Sequence, residues 1–292
     1  MIQLIVECKD GLWRPSAPTR YNCYSTIPLM EVMSAQPPVP PTSTEPFALG
    51  GPACAHADRA PTVAVMQPYF LPYIGYFQLI ASCDLFVLYD NIKYTKKGWI
   101  NRNRMLRDGQ DVMFSLPLQQ GADHLNVDQR ALAVAPDPHK WLAQLKGAYR
   151  HAPGYAQTLP LLEQIAHSPE VNLFRFLHQA LLACCAHLGI RTPIRISSTV
   201  GIDHGLKGQD KVLALCQALG AGTYVNAIGG LELYSPPAFA QHGIALRFIR
   251  SRPLSYPQFG APFVPWLSIV DVLMFNPLDT VRDWVHSHYD LI

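Results

Sequence analysis

The sequence predicts an α/β fold with a mainly parallel sheet, one β-hairpin insertion and a helical segment. Three observations lead there. Short apolar runs of strand length alternate with helix-patterned stretches, which is the signature of βαβ units. One such unit covers residues 62–89 and a second covers 194–225. Between them, residues 138–188 carry three successive helical patterns.

Taken in order, Thr62 to Met66 is an apolar run that reads as a buried strand. Gln67-Pro68-Tyr69-Phe70-Leu71-Pro72 then breaks regular structure, because two prolines fix φ and remove two donors. After Gly75, the residues Tyr76, Phe77, Leu79 and Ile80 lie at helical spacing, and Asp84 ends that helix. Leu85 to Tyr89 is apolar and aromatic, as a central strand requires. Gly98 to Leu118 reads as a hairpin: Trp99 to Leu106 alternates, Asp108-Gly109 is the turn signal, and Val112 to Leu116 returns. Ile100, Arg102 and Arg104 share one face of it, which puts the two arginines about 7 Å apart. Trp99, Asn101 and Asn103 share the other face.

Gln119 to Pro138 is polar and reads as a loop with one short strand, Asn126 to Val134. Helices follow at Pro138 to Arg150, Thr158 to His167 and Val171 to Leu188, with Pro153-Gly154 ending the first and Gly189 capping the last. Ile194 to Ser198 is a strand, Thr199 to Gly208 a loop, Gln209 to Leu219 a helix, and Thr223 to Val225 a strand. A strand near Ile244 to Ile249 and a final helix near Ser268 to Phe275 complete the pattern.

Residues 1–61 differ from the rest. Ala35 to Pro61 is rich in Pro, Ala, Ser, Thr and Gly, with PPVPP at Pro37 to Pro41, and such a stretch buries too little surface to offset its ordering entropy. This region reads as a disordered arm, and 62–292 as one functional unit. Met30, Met33 and Met66 each offer an alternative start, and no function is assigned to the arm. The whole chain of 292 residues is 49% hydrophobic, enough for a real core. Its charged fraction of 15% is low, and a net charge of +2 gives no global reason to expect nucleic acid or an anionic membrane as partner. No apolar stretch approaches the roughly 20 residues that span a bilayer. The seven cysteines include no CxxC, and Cys83, Cys184, Cys185 and Cys216 lie in apolar segments. They read as reduced core thiols of a cytoplasmic protein. Eleven histidines show no zinc-ligand spacing, and neither a GxSxG nor a P-loop is present.

The phrases QPYFLPYIGYFQLI, FVLYDNIKYTKKGWINRNR, SSTVGI and LSIVDVLMFN are similar to those of the WbqC-like family, in order from about Val63 to Trp284. That family is named for its presence in gene clusters for O-antigen and other surface polysaccharides. The resemblance implies a role in surface-polysaccharide assembly, with glycine (aminoacyl) transfer as the suggested activity. Where this sequence has His204, the family pattern has an acidic or glycine-rich stretch, so a role for His204 as a base is not carried over. Ala227 to Tyr234, with Gly229-Gly230, sits where other members have a glycine-containing loop.

Candidate site residues gather after the first two strands of the sheet, where open α/β sheets bind ligands. Gln67 to Gly75 has the outline of the strand–loop–helix start of nucleotidylyl transferases, a Rossmann-like variant in which a His-x-Gly-His motif and a helix N-terminus bind phosphate. Both histidine positions are tyrosine here, Tyr73 and Tyr76, and a phenol offers a neutral donor instead of a cation. Gln67 and the two tyrosines therefore form either an anion site or an aromatic packing corner.

Asp90 to Arg104 is the strongest stretch: Lys93, Lys96, Lys97, Arg102, Arg104 and Arg107 put six cations within fifteen residues, among Tyr94, Trp99, Asn101 and Asn103. Arginine forks match phosphate oxygens, lysines add point charge, and the rings stack on a base or sugar. A nucleotide-linked sugar or another phosphorylated small molecule meets these demands together; the competing reading is a solvated basic hairpin. RNA fits less well, since the rest of the chain adds no basic surface. Asp90 is either a general base or a turn-capping carboxylate. Asp271, set among apolar residues, needs a partner, and Arg102 or Arg104 is the expected one. Ser197, Ser198 and Lys207 add hydroxyls and a cation at a second strand end, and Lys211 lies one turn further on.

The favoured reading is a cytoplasmic transferase that adds a small acyl or aminoacyl group to a nucleotide-linked sugar. Lys93, Lys96, Lys97, Arg102 and Arg104 hold the diphosphate, Tyr94 or Trp99 stacks, and Asp90 takes the proton. The cofactor is not read from the sequence: an acyl adenylate, coenzyme A or a charged tRNA would each serve as donor. The alternatives are an ATP-dependent nucleotidyl transferase or ligase and a non-catalytic sugar-nucleotide binding protein.

Overall fold

The computed structural model describes residues 6–9, 12–15, 59–133, 139–260 and 262–292. They fall into two units divided after Arg59. In the first, β1 (Val6–Lys9) and β2 (Leu12–Pro15) pair antiparallel, with Val6 opposite Pro15 and Lys9 opposite Leu12. The remainder of the expected disordered arm, up to residue 58, lies outside the described residues.

The second unit is built on a six-stranded sheet. Its strands are β3 (Thr62–Met66), β4 (Leu85–Leu88), β7 (Ile194–Ile196), β8 (Thr223–Ala227), β9 (Ala245–Ser251) and β10 (Tyr289–Leu291), and β5 (Arg102–Arg107) with β6 (Gln110–Ser115) forms a separate antiparallel hairpin. Across the sheet the order is β10-β9-β8-β3-β4-β7. All neighbours are parallel except β10 with β9. The chain therefore starts in the middle at β3, builds outward through β4 and β7, and returns to build the other half from β8. Loops leaving β3 and β8 run in opposite directions, and the crevice between them is where ligands of such sheets bind.

Both faces of the sheet are covered, which explains the near-continuous apolar strands. On one face, Ala64, Phe86 and Leu88 pack with α1 (Ile74–Ala81), α4 (Leu173–Leu188), α7 (Ile269–Phe275) and α8 (Leu278–Ser287). On the other, Val63, Val65 and Val87 pack with Val212, Leu215 and Cys216 of α5 (Gly208–Ala218) and Phe239 of α6 (Pro236–Gln241). The helical segment supplies α2 (Lys140–Tyr149) and α3 (Tyr155–Ala166) as well as α4. Gly189 ends α4 in the left-handed conformation, φ +73°, as its position in the sequence requires.

Several details differ from the sequence reading. The helix α3 begins at Tyr155, because Gly154 can lie against the backbone of α7 where any Cβ would strike the Leu273 carbonyl. Of the expected strand Asn126 to Val134, Val134 lies outside the described residues, and the rest holds a 3-10 turn, Val127–Gln129, flanked by single bridges from Asn126 to Lys93 and from Leu132 to Leu118. Past Ile196 the expected strand turns into a second 3-10 turn, Ser197–Thr199. The elements α6, α8 and β10 were not expected. Among the described residues no helix is long and apolar enough to cross a membrane.

Candidate functional site

The loop after β3 is strapped from several sides. Asn103, buried on β5, donates to the carbonyls of Phe70 (3.1 Å) and Leu71 (2.9 Å). Ser268, the N-cap of α7, donates to the Leu71 carbonyl at 2.7 Å, and the Phe70 amide donates to the Trp99 carbonyl. These bonds hold Leu71 at φ +44°, a conformation costly for a residue with a branched side chain. Asn103 is thus a strap inside the protein.

Tyr76 is also turned inward. Its hydroxyl donates to the Gln67 carbonyl at 2.7 Å, and burial pushes its phenol well above the ordinary value. Tyr73 caps α1 by position without a side-chain bond; its ring lies 5.2 Å from that of Trp266, and burial pushes its phenol up to about 12. Gly75 lets α1 approach the end of β9, since a Cβ there would lie 2.6 Å from Ser251 Oγ. Gln67 itself, directly after β3, is half-buried.

The second group lies at the carboxyl ends of β4 and β7. The 3-10 turn after β7 aims Ser197 and Ser198 back at Asp90, which is only 5% exposed. Asp90 Oδ1 accepts from Ser197 Oγ (2.7 Å) and the Ser198 amide (3.0 Å), and Oδ2 accepts from the exposed Ser198 hydroxyl. Burial alone would raise this carboxyl, but the bonds from Ser198 and Ser197 outweigh it and hold the group below the usual carboxylate range.

Asn91 extends the network. Its Oδ1 accepts from Lys211 Nζ at 3.0 Å and lies within 3.0 Å of Ser197 Oγ. Its Nδ2 donates to His204 Nδ1 at 3.0 Å, and His204 Nε2 donates to the Val200 carbonyl. Both ring nitrogens of His204 are thereby committed to holding the loop. Lys211, on α5 and 7% exposed, places its ammonium 5.3 Å from the centre of the Tyr89 ring. Burial lowers its pKa, and the charge of Asp90 opposes that. Lys207 is exposed one turn earlier, outside this network.

Beside Asp90 stands Asp128, which the sequence did not single out. The 3-10 turn carrying it is tied to the segment after β4 by the bonds Val127 N to Ile92 O and Asp128 N to Asp90 O. Its Oδ1 is buried and accepts no hydrogen bond. Burial, and then the charge of Asp90, push this carboxyl above the usual range. Two carboxylates close together thus have their affinities for protons driven apart.

The basic stretch is less uniform than its sequence suggests. Lys93 and Lys97 are exposed, and Lys96 pairs with Asp123 at 2.6 Å. Arg102 Nε donates to the Gly98 carbonyl. Arg104 is committed elsewhere: it pairs with Asp111 at 2.9 Å, donates to the Trp266 carbonyl and lies over the Trp99 ring. Tyr94 OH donates to Asn101 Oδ1, and Asn101 Nδ2 donates to the Leu116 carbonyl, so Asn101 ties the hairpin to the segment after β4.

Asp271 overturns its expected pairing. It is fully buried on α7, and neither Arg102 nor Arg104 reaches it. Its partners are neutral: Tyr149 OH at 2.8 Å on Oδ1, with Tyr256 OH and Gln258 Nε2 both at 2.7 Å on Oδ2. A carboxylate flanked by apolar residues signals a need for donors but does not say which, and two phenols and an amide supplied them.

The model of the WbqC-like protein family matches residues 67–283. The uncharacterized protein Rv1507c of Mycobacterium tuberculosis is 31% identical over 219 residues, covering 73% of this chain and 93% of the relative. No solved structure matches. A family model spanning most of the chain and a relative aligned over nearly its full length place this protein in the WbqC-like protein family.

Proposed function

We propose that the chain is a cytoplasmic transferase of surface-polysaccharide assembly, which attaches a small acyl or aminoacyl group, glycine first among them, to a nucleotide-linked sugar. The observation that carries this reading is the convergence of Lys211, Asn91, Asp90 and Ser198 at the carboxyl ends of β4 and β7. The cation-rich segment from Lys93 to Arg102 leaves the same strand. In this reading the diphosphate lies along Lys93, Lys96, Lys97 and Arg102, and Tyr94 or Trp99 offers a ring face to the base or sugar. Gln67 and the crevice beside β8 receive the remainder of the ligand.

Asp90 is a poor proton acceptor, because three donors already stabilise its ionised form. Its role here is to orient Ser198. The adjacent Asp128, with a raised proton affinity, is the better base. The amino or hydroxyl group of the sugar attacks the acyl carbonyl carbon and gives its proton to Asp128. The new C–N or C–O bond forms as the bond to the donor's leaving group breaks, and that group departs with the electron pair. The donor is an acyl adenylate, a coenzyme A thioester or a charged tRNA. ATP-dependent nucleotidyl transfer at the loop after β3 has weaker support, since Tyr76 is committed to the Gln67 carbonyl.

The test is a mass-spectrometric transfer assay with the full chain, UDP- and dTDP-linked amino sugars, and each glycyl donor in turn. The expected result is a sugar nucleotide heavier by one glycyl residue with one donor class. Sugar nucleotides that bind but are never modified would make this a non-catalytic binding protein. Pyrophosphate release from ATP without acyl transfer would favour the nucleotidyl reading.

A further inference from the structure

Arg130 is the least expected charge in the molecule. Its backbone is fixed on both sides: its amide donates to the Val127 carbonyl, and its own carbonyl accepts from Leu173 at the start of α4. The residue is only 7% exposed, and its guanidinium lies 4.8 Å over the centre of the Tyr94 ring. Nη2 donates to the Gln119 carbonyl at 3.1 Å, but Nε is buried and bonds to nothing. Among the described residues no carboxylate comes within 4.0 Å of it. A buried cation with no carboxylate in contact is costly, and a partner that arrives from outside would offset that cost.

The surroundings say what that partner is. Arg102 and Lys96 lie close enough to Tyr94 for their charges, like that of Arg130, to bear on its phenol. Lys93 is adjacent in the chain. Asp123 pairs with Lys96 where both side chains are about 70% exposed, and its charge reaches Lys93 and Arg130 only from beyond contact distance, so it offsets these cations weakly. Gly121 closes over the guanidinium: a Cβ there would lie 2.6 Å from Arg130 Nη1. Several cations around one aromatic ring, with a pre-set arginine at the base, suit a ligand with several anionic oxygens.

We propose that Arg130, with Arg102, Lys93 and Lys96 around Tyr94, forms a subsite for the phosphate oxygens of a phosphorylated small molecule, with Arg130 as its buried anchor. The subsite deepens the proposed function and rests on it for the sugar, whereas the recognition of phosphate does not.

The test measures binding of inorganic pyrophosphate, and separately of UDP-sugars, to the full chain by calorimetry. Wild type is compared with Arg130→Met and Gly121→Ala. Arg130→Met removes the charge while keeping the bulk over Tyr94, and it is expected to fold with unchanged or higher Tm because an unpaired buried charge is gone. Gly121→Ala keeps the charge and displaces the guanidinium from an exposed loop position, so it decides the matter if Arg130→Met does not fold. Each variant is expected to weaken pyrophosphate binding by about tenfold or more. Equal affinity in wild type and both variants, or no binding to wild type, overturns the subsite. UDP-sugar binding that survives such a result spares the proposed function. Conversely, pyrophosphate binding that depends on Arg130, with no sugar nucleotide bound, keeps the subsite and removes the proposed function.

Discussion

Asp271→Ala is expected to destabilise the unit formed by residues 60–292 by about 3–5 kcal/mol, at about 1–3 kcal/mol for each buried hydrogen-bond donor that loses its acceptor. The carboxylate gathers Tyr149, Tyr256 and Gln258, and Tyr149 OH in turn accepts from the Leu106 amide at 2.8 Å. One side chain therefore ties α7 to α2, to the hairpin strand β5 and to the 256–258 segment. Alanine leaves the two buried phenols without an acceptor and takes one of two acceptors from Gln258 Nε2, which keeps the Val264 carbonyl. Asp271→Asn keeps the shape and one acceptor oxygen, so it should cost about 1–2 kcal/mol. Urea unfolding at neutral pH measures both, and an alanine variant within 1 kcal/mol of wild type would show that the network does not hold the helices together.

The same residue gives a pH signature. Burial raises the Asp271 pKa above its ordinary 3.8 and outweighs the bonds from Tyr256, Gln258 and Tyr149. A raised carboxyl binds its proton more tightly when folded, so this group favours folding most below 3.8 and loses that contribution as pH rises through its folded value. Asp90 has the opposite sign. Its lowered carboxyl contributes stability above 3.8, and that contribution is lost as pH falls through its folded value.

Asp128→Asn is expected to lower turnover in the transfer assay by about 10²- to 10⁴-fold, the usual contribution of a positioned general base. Affinity for the sugar nucleotide should stay within about threefold, since Asp128 is not placed on the phosphates. Stability should not fall, because its buried Oδ1 accepts no hydrogen bond that the amide would lose. In wild type, turnover should decline as pH falls through the Asp128 pKa, which lies above the ordinary 3.8. A variant with full turnover would remove Asp128 from the chemistry. A variant that loses stability in step with activity would make the residue structural.

Much of the fold was legible because its strands are covered on both faces. Val63, Val65 and Val87 on one side and Ala64, Phe86 and Leu88 on the other leave no polar positions to confuse the pattern. The hairpin was equally plain, with Asp108 at φ +53° and Gly109 at φ +73° forming its turn. The helix α8 was not, because only Val281 and Val285 are buried among its ten residues. The 3-10 turn at Val127–Gln129 had no period to reveal it, and with it Asp128 and Arg130 were missed. Their significance comes from bonds to Ile92, Asp90 and Leu173, distant in sequence.

The candidate site divides in the same way. Asp90, Ser197 and Ser198 were picked out as residues at strand ends, and the sheet brings them into contact. Asn103 and Tyr76 were picked out as polar groups near a ligand, but their side chains turn to backbone carbonyls of the loop after β3. Composition cannot distinguish a polar group that faces a ligand from one that straps a loop, since both are donors in a crowded place. Lys211 stood in the sequence only as a cation on the next turn of a helix, and the packing of α5 against Tyr89 and Asn91 makes it central.

The most direct test of the central claim is the binding of UDP- and dTDP-linked amino sugars to wild type and to Lys211→Met, by calorimetry at neutral pH. Saturable binding to wild type is expected, with a loss of at least about tenfold in the variant, which should still fold because methionine fills the same volume beside Tyr89. Unchanged affinity in Lys211→Met, or no binding of any sugar nucleotide to wild type, would contradict the placement of the site at the carboxyl ends of β4 and β7.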